Sequence, residues 1–406
     1  MNKIDSKLMF KVEVLFMKAK KILTLLVMTV LVFATFAGCG SGSSSDYVEP
    51  DTIKIGANYE LSGAVAQYGQ MTMEGIQLAI DEINEAGGIN GKQVELVSID
   101  NKSDNNEAKT VATRLATQEN VLAILGPATS GAVKATTSVS EQYGVPVVTC
   151  SGTADDVTVV DGVVNQYIFR TCFNDSFQGN VMATYVYRDL GLKNTIILSD
   201  NSNDYSMGLA STFKSVYETA GGTIVEEENF TAGDKDFSAI LTKIKDKEFD
   251  AIYLPAYYEE AGLIIKQARA MGIDVPIFGA DGYDDSKLNE IAGDDNLNNV
   301  FFTGHYSSQD TTPIVVDFVE MYEEKTGEVP NAFNALGYDL AKCVLNACAS
   351  AEKLTPEDVT TAIAATTDFE GVTGTFSLDE NHNPVKSAVI IELVDGVQTF
   401  KARVNP

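Results

Sequence analysis

The stretch from Val121 to Asp155 constrains the fold more than any other. Val121 to Leu125 is an apolar run too short for a stable helix, and Gly126-Pro127 stops it. An amphipathic segment follows to Tyr143, with Ser130 predicted as its N-cap, and Gly144 precedes a second apolar run ending at Thr149. The order is strand, loop, helix, strand, loop. It sets two hydroxyl-bearing loops, Thr129/Ser130 and Ser151/Thr153, at the carboxyl ends of neighbouring parallel strands. Open α/β sheets hold small ligands at such ends, and the amides of a helix N-terminus favour an anion such as a carboxylate there.

The same unit recurs along the chain. Thr52 to Tyr59 alternates as a strand, and Gln70 to Glu85 is a helix with Met73, Ile76, Ala79, Ile80 and Ile83 on one face and Leu78 off it. Gln93 to Ile99 and Asn105 to Gln118 add another strand and helix. A second series begins at Asn165 to Arg170 and alternates through helices at Phe177 to Leu190, Tyr205 to Ala220, Phe237 to Lys245 and Glu259 to Met271. Its strands are Thr195 to Ser199, Thr223 to Glu228, Ala251 to Leu254, Pro276 to Gly279 and Val300 to Thr303. Helices at Pro313 to Thr326, Ala332 to Ala349 and from Pro356 precede a tail of strands with Asp395-Gly396 as a hairpin turn. Alternation of this length predicts the α/β class, with two Rossmann-like parallel-sheet lobes and ligand groups between them.

With 406 residues and 45% of them hydrophobic, the chain has room for two such lobes. Lys and Arg number 29 against 57 Asp and Glu, a formal net charge of −28. Such a surface repels phosphate backbones, so no nucleic-acid partner is expected. The chain's start is basic at Met17-Lys18-Ala19-Lys20-Lys21, apolar from Ile22 to Ala37, and ends on Phe36-Ala37-Gly38-Cys39. It resembles a bacterial lipoprotein signal peptide, which implies residues 1–39 as the signal, Cys39 as the acylated residue and Met17 as an alternative start. A transmembrane anchor is the competing reading, disfavoured because the run falls short of the roughly 20 residues of a bilayer span. Residues 40–51, rich in Gly and Ser at their start, read as a tether. Cys150, Cys172, Cys343 and Cys348 form no C-x-x-C pair; buried free thiols are expected, with a Cys150–Cys172 disulfide left open.

Several motifs together resemble the type I periplasmic binding proteins of ABC importers, branched-chain amino acid (Leu/Ile/Val) subgroup. They are Leu61-Ser62-Gly63 to Ala66-Gln67-Tyr68-Gly69, Ile83-Asn84-Glu85-Ala86-Gly87-Gly88-Ile89-Asn90-Gly91-Lys92, Gly126-Pro127 with Ser130, Thr231 to Ser238, and Gln267-Ala268-Arg269-Ala270-Met271-Gly272. The resemblance implies two lobes joined by a three-crossing hinge near Thr171, Thr303 and Phe376. Lobe one would be residues 52–171 plus 304–376, and lobe two 172–303 plus 377–406. It implies capture of a free amino acid by hinge closure, ABC permease subunits as partners, a monomer, and a lipid anchor on the outer face of the cytoplasmic membrane or in the periplasm. Carried over by position, Ser130, Ser151 and Thr153 would cradle the α-carboxylate and ammonium, Tyr68 would wall the side-chain pocket, Tyr205 and Tyr257 would close over the ligand, and Asp281 would face the ammonium. Where Asp281 stands the family often has Glu, and Ser151 replaces a smaller residue.

The residue chemistry agrees on the type of site: a zwitterion needs hydroxyl and amide donors at one end and a carboxylate at the other. Catalysis is not expected. The two histidines, His305 and His382, lie far apart, and no Gly-x-Ser-x-Gly or His-Glu-x-x-His motif occurs. No cofactor or metal is implied. A ligand-binding component for urea, an amide or an aromatic acid, and a sensory ligand-binding lipoprotein, are the alternatives carried forward.

Overall fold

The computed structural model describes residues 47–406. The signal segment, Cys39 and most of the tether lie outside the described residues. The first lobe is built from β1 (Ile53–Tyr59), α1 (Ala66–Glu85), β2 (Val94–Asp100), α2 (Asn105–Arg114), β3 (Ile124–Leu125), α3 (Ser130–Tyr143) and β4 (Val147–Thr149). A small hairpin, β5 (Val159–Val160) and β6 (Val163–Val164), leads to β7 (Ile168–Arg170). The sheet is parallel throughout, in the order β2-β1-β3-β4-β7. β1 lies between β2 and β3, so the strand order reverses at β1/β3 and opens a crevice above that pair.

The second lobe repeats the pattern with α4 (Asp175–Thr184), β8 (Asn194–Asp200), α5 (Asp204–Thr219), β9 (Thr223–Phe230), α6 (Ser238–Lys245), β10 (Ala251–Tyr253), α7 (Tyr258–Ala270), β11 (Ile277–Gly279), α8 (Ser286–Ala292) and β12 (Val300–Gly304). Its parallel strands run β9-β8-β10-β11-β12, the same order as the first sheet. The chain then adds α9 (Pro313–Thr326), α10 (Ala332–Ser350), α11 (Pro356–Ala364) and the hairpin of β13 (Phe369–Gly371) and β14 (Gly374–Phe376). It ends with β15 (Ala388–Val394) and β16 (Val397–Val404), which extend the second sheet as antiparallel edge strands. Asp395 and Gly396 turn this last hairpin with φ of 49° and 76°, as an Asp-Gly turn requires.

α10 returns to pack along α1. The two helices cross where Gly75 and Gly337 meet: a Cβ on Gly75 would strike the Asn334 carbonyl, and one on Gly337 the Thr72 carbonyl. Leu78 is buried despite standing off the main apolar face of α1, because α9 supplies a second layer of Val315, Phe318 and Tyr322 over it. α1 also starts earlier than its periodicity indicates, at Ala66, where tertiary packing of Tyr68 stabilises a first turn that has no side-chain cap. Cys150, Cys172, Cys343 and Cys348 are all buried free thiols, and burial pushes each of them above the usual thiol range. Among the described residues no helix is long and apolar enough to cross a membrane.

Three connections link the sheets: β7 to α4, β12 to α9, and β14 to β15. Two of them are bound together. Lys386, between β14 and β15, is buried and donates to the Thr171 carbonyl at 3.2 Å and the Thr373 hydroxyl at 2.6 Å. Thr373 in turn donates to the buried Asp339 at 2.6 Å.

Candidate functional site

The carboxyl ends of the two parallel sheets face one another across a narrow cavity of about 10 Å³, lined by Tyr68, Ala128, Thr129, Ser151, Tyr205, Tyr257, Asp281, Gly282 and Phe333. Five of the seven sequence-derived candidates, Tyr68, Ser151, Tyr205, Tyr257 and Asp281, line it. Ser130 and Thr153 do not, although both are fully buried in the two loops that bear Thr129 and Ser151.

Ser130 is also not the helix cap that its position suggested. Thr129 holds the N-cap position of α3 and makes no side-chain cap bond. Its amide and hydroxyl donate to Glu60 Oε1 at 3.1 and 2.8 Å, while the Ala128 amide donates to Glu60 Oε2 at 3.0 Å. A carboxylate from the end of β1 thereby holds the Thr129 side chain, whose oxygen would in a capped helix accept from the amides of the first turn. Ser130 Oγ instead accepts from the Ala154 amide at 3.1 Å and ties the two loops together. Ser151 Oγ donates to the Ala128 carbonyl at 2.9 Å, a second tie. Thr153 Oγ1 is buried and makes no hydrogen bond of ordinary length among the described residues, although it stands close enough to Asp175 to hold back the rise of that carboxyl.

From the second lobe, Asp281 opens a short 3-10 turn directly after β11 and is buried. Its Oδ1 accepts from the Tyr205 hydroxyl at 2.8 Å and from Gln178 Nε2 at 3.1 Å. Its Oδ2 lies 3.2 Å from His305 Nε2. The His305 ring stacks on Phe173 with centroids 3.7 Å apart, and burial lowers its basicity against the opposing pull of Asp281. Asp175, which accepts from the same Gln178 amide at 2.9 Å, is pushed well up by burial and then by the charge of Asp281. A carboxylate surrounded by donors in a water-poor site remains a ready acceptor for a further cation, because it offers about four lone-pair positions.

The rings form a continuous wall between the lobes. Tyr68 stacks on Phe333 at 4.6 Å and meets Tyr257 and Tyr258 edge-on at 5.5 and 5.0 Å. Tyr205 stacks on Tyr257 at 5.1 Å. Polar contacts also cross the cleft: the Tyr68 hydroxyl donates to the Gly282 carbonyl at 2.6 Å, and the Tyr258 hydroxyl to the Ala64 carbonyl at 3.0 Å. At the rim Lys134 bridges Asp156 at 2.5 Å and Asp204 at 2.7 Å. The lobes are closed on one another.

Sequence patterns did not point to Glu60, Gln178, His305 or Phe333. A lone Glu after a strand and a lone Gln in a helix carry no local signal, and Phe333 arrives from a helix more than 260 residues beyond Tyr68. Among the described residues no group of three or more His, Cys, Asp or Glu side chains could hold a metal.

Across residues 52–398 the chain matches the family described as periplasmic binding protein. It is 32% identical, over 86% of its own length and 91% of the relative's, to the "Leucine-, isoleucine-, valine-, threonine-, and alanine-binding protein" of Pseudomonas aeruginosa. The crystal structure of the branched-chain amino acid transporter substrate-binding protein LivJ from Streptococcus pneumoniae, in complex with isoleucine, is similar at a TM-score of 0.82 and 43% identity, covering 87% of this chain and 100% of that one. The leucine-binding protein LivK of Thermotoga maritima is similar at a TM-score of 0.82 and 36% identity, covering 87% and 99%.

Proposed function

The chain belongs to the periplasmic binding protein family, and from that premise we propose that it is the substrate-binding component of an ABC importer for a branched-chain aliphatic amino acid. Members of this family are exported substrate-binding proteins rather than enzymes, and no covalent step is part of the reading. The observation that carries it is the pairing of opposite chemistries across one closed cavity. Hydroxyl- and amide-bearing loops stand on one side, and the hydrogen-bonded Asp281 stands on the other. Ser130, Ser151 and Thr153 would take the α-carboxylate, Asp281 the ammonium, and Tyr68, Tyr205 and Tyr257 the aliphatic side chain, whose apolar surface rings cover at little cost in conformational freedom. The amino acids named for the similar proteins of Pseudomonas, Streptococcus and Thermotoga support an aliphatic ligand.

Capture would proceed by closure about the three connections between sheets, with lobe one at 52–171 plus 304–376 and lobe two at 172–303 plus 377–406. The closed form would then dock a membrane permease, as a monomer held to the membrane by acylated Cys39. A uncharged amide or urea fits less well, since it would leave Asp281 buried opposite a ligand with no charge to meet it. A thermal-shift and calorimetric screen of the purified protein against leucine, isoleucine, valine, alanine, phenylalanine and urea tests the reading. Stabilisation by the branched-chain amino acids is expected; stabilisation by urea alone would overturn it.

A further inference from the structure

Glu60 follows β1 directly and is completely buried, yet its carboxylate is held by backbone and hydroxyl groups rather than by a cation. Its three donors, two amides and the Thr129 hydroxyl, stand at the N-terminus of α3 and at the point where the first sheet's strand order reverses. That combination is what an anion cradle consists of: amides left over from helix hydrogen bonding, aimed at a crevice above the strand ends. The loop is shaped for it. Gly126 has a φ of +85°, and a Cβ there would lie 2.5 Å from the Asn58 carbonyl and 2.8 Å from the Tyr59 ring.

The cradle borders the cavity, because Ala128 and Thr129 line it and both give their amides to Glu60, which is not among the lining residues. Burial pushes the Tyr257 hydroxyl well up; the charges of Glu60, Asp175 and Asp281 add to this against a hydrogen bond with Asn203. Tyr257 thus stands within the field of acids from both lobes.

We propose that Glu60 is a specificity-determining residue, an internal carboxylate that fills the anion cradle after β3 and so denies that wall of the cavity to any ligand carboxylate. Two consequences follow from the geometry. The α-carboxylate of a ligand is left the donors beyond the cradle: the Ser130 hydroxyl at the start of α3, whose oxygen accepts from Ala154 and whose hydrogen remains to donate, and, after β4, the buried Thr153 hydroxyl, which makes no hydrogen bond of ordinary length among the described residues. Amino acids with a second carboxylate are rejected, since a like charge at this wall would feel Glu60 across a single loop whose donors are already taken. The inference rests on the amino acid reading above and names what that site excludes.

Glu60→Ala removes the internal anion and leaves a space that acetate matches in size and charge. In this variant leucine affinity falls about tenfold or more, since three charge-assisted hydrogen bonds that shape the loop are lost. Acetate, but not chloride at matched ionic strength, raises its melting temperature and restores leucine affinity, while leaving the unsubstituted protein unchanged. A folded Glu60→Ala protein that binds leucine as well as before, or that responds equally to acetate and chloride, overturns the proposal. Should Glu60→Ala fail to fold, Glu60→Gln keeps the side chain's shape without its charge. Its preference for leucine over glutamate should drop about tenfold, and an unchanged preference overturns the proposal. If the unsubstituted protein binds no α-amino acid, the functional reading fails, whereas the acetate-dependent melting of Glu60→Ala still reports on the cradle.

Discussion

After β1, β3 and β4 the first lobe presents Glu60, Thr129 and Ser151, and after the equivalent strands β8, β10 and β11 the second presents Tyr205, Tyr257 and Asp281. One strand order therefore carries two unlike surfaces. In the first lobe short side chains are tied locally, Ser151 to the Ala128 carbonyl, Ser130 to the Ala154 amide and Thr129 to the Glu60 side chain. In the second lobe long side chains gather around one acid, Asp281, with Tyr205, Gln178 and His305 each supplying a contact. A lobe organised by local ties can receive a ligand first with little rearrangement. A lobe organised by side chains contributes most once it has closed, when its acid is taken out of water.

The largest break in this contrast should come from Asp281. Asp281→Ala leaves Tyr205, Gln178 and His305 around an absent acceptor and removes the ammonium partner, so affinity for a branched-chain amino acid should fall by about a hundredfold by calorimetry. Retained affinity would remove Asp281 from the site. Thr153→Ala should cost less, about tenfold, because one neutral donor is lost and the remaining loop groups stay in place. The fall should appear with leucine and vanish with leucinamide, which carries no carboxylate.

Tyr68→Phe sharpens the comparison at the seam. It deletes the bond to the Gly282 carbonyl while keeping the ring against Phe333. Affinity should drop by about fivefold, mainly through faster dissociation, because the bond exists only when the lobes are closed. A change confined to the association rate would contradict this.

The last prediction concerns stability rather than affinity, and is a dependence on pH. Burial raises Asp284 to about 6 and Asp285 to about 7, and each has one carboxylate oxygen buried without a partner. Both folded values exceed the ordinary carboxyl value, so the folded state binds more protons between about pH 4 and 7. Stability should accordingly fall as pH rises through that window. His305, lowered by burial, works in the opposite direction near its ordinary value. Asp285→Asn, which retains the capping oxygen that accepts from the Lys287 amide, should flatten the fall in melting temperature. An unaltered slope would show that Asp285 does not titrate in this range.

Much of the architecture was legible because strand–helix alternation is local: β1, α5, α9 and the Asp395-Gly396 hairpin lie within a residue or two of where periodicity and turn chemistry put them. What escaped was set by tertiary contacts. The first turn of α1 forms through Tyr68 packing, and Leu78 is buried only because α9 comes back over it. Asp281 could be picked out because an acid between a strand end and Gly282 is a recognisable place for a ligand group. Glu60 stands just as close to a strand end, but its meaning depends on two amides almost 70 residues away. Ser130 departs from the capping bond its position predicts for the same reason: the carboxylate that rearranges the loop comes from another strand.

The central claim, that the two lobes hold opposite ends of one zwitterion, is tested most directly by titrating the protein calorimetrically with leucine, leucinamide and 4-methylpentanoate. Leucine should bind, and both analogues should bind at least about a hundredfold more weakly, leucinamide for want of the carboxylate and 4-methylpentanoate for want of the ammonium. Equal affinity for 4-methylpentanoate and leucine would contradict the account.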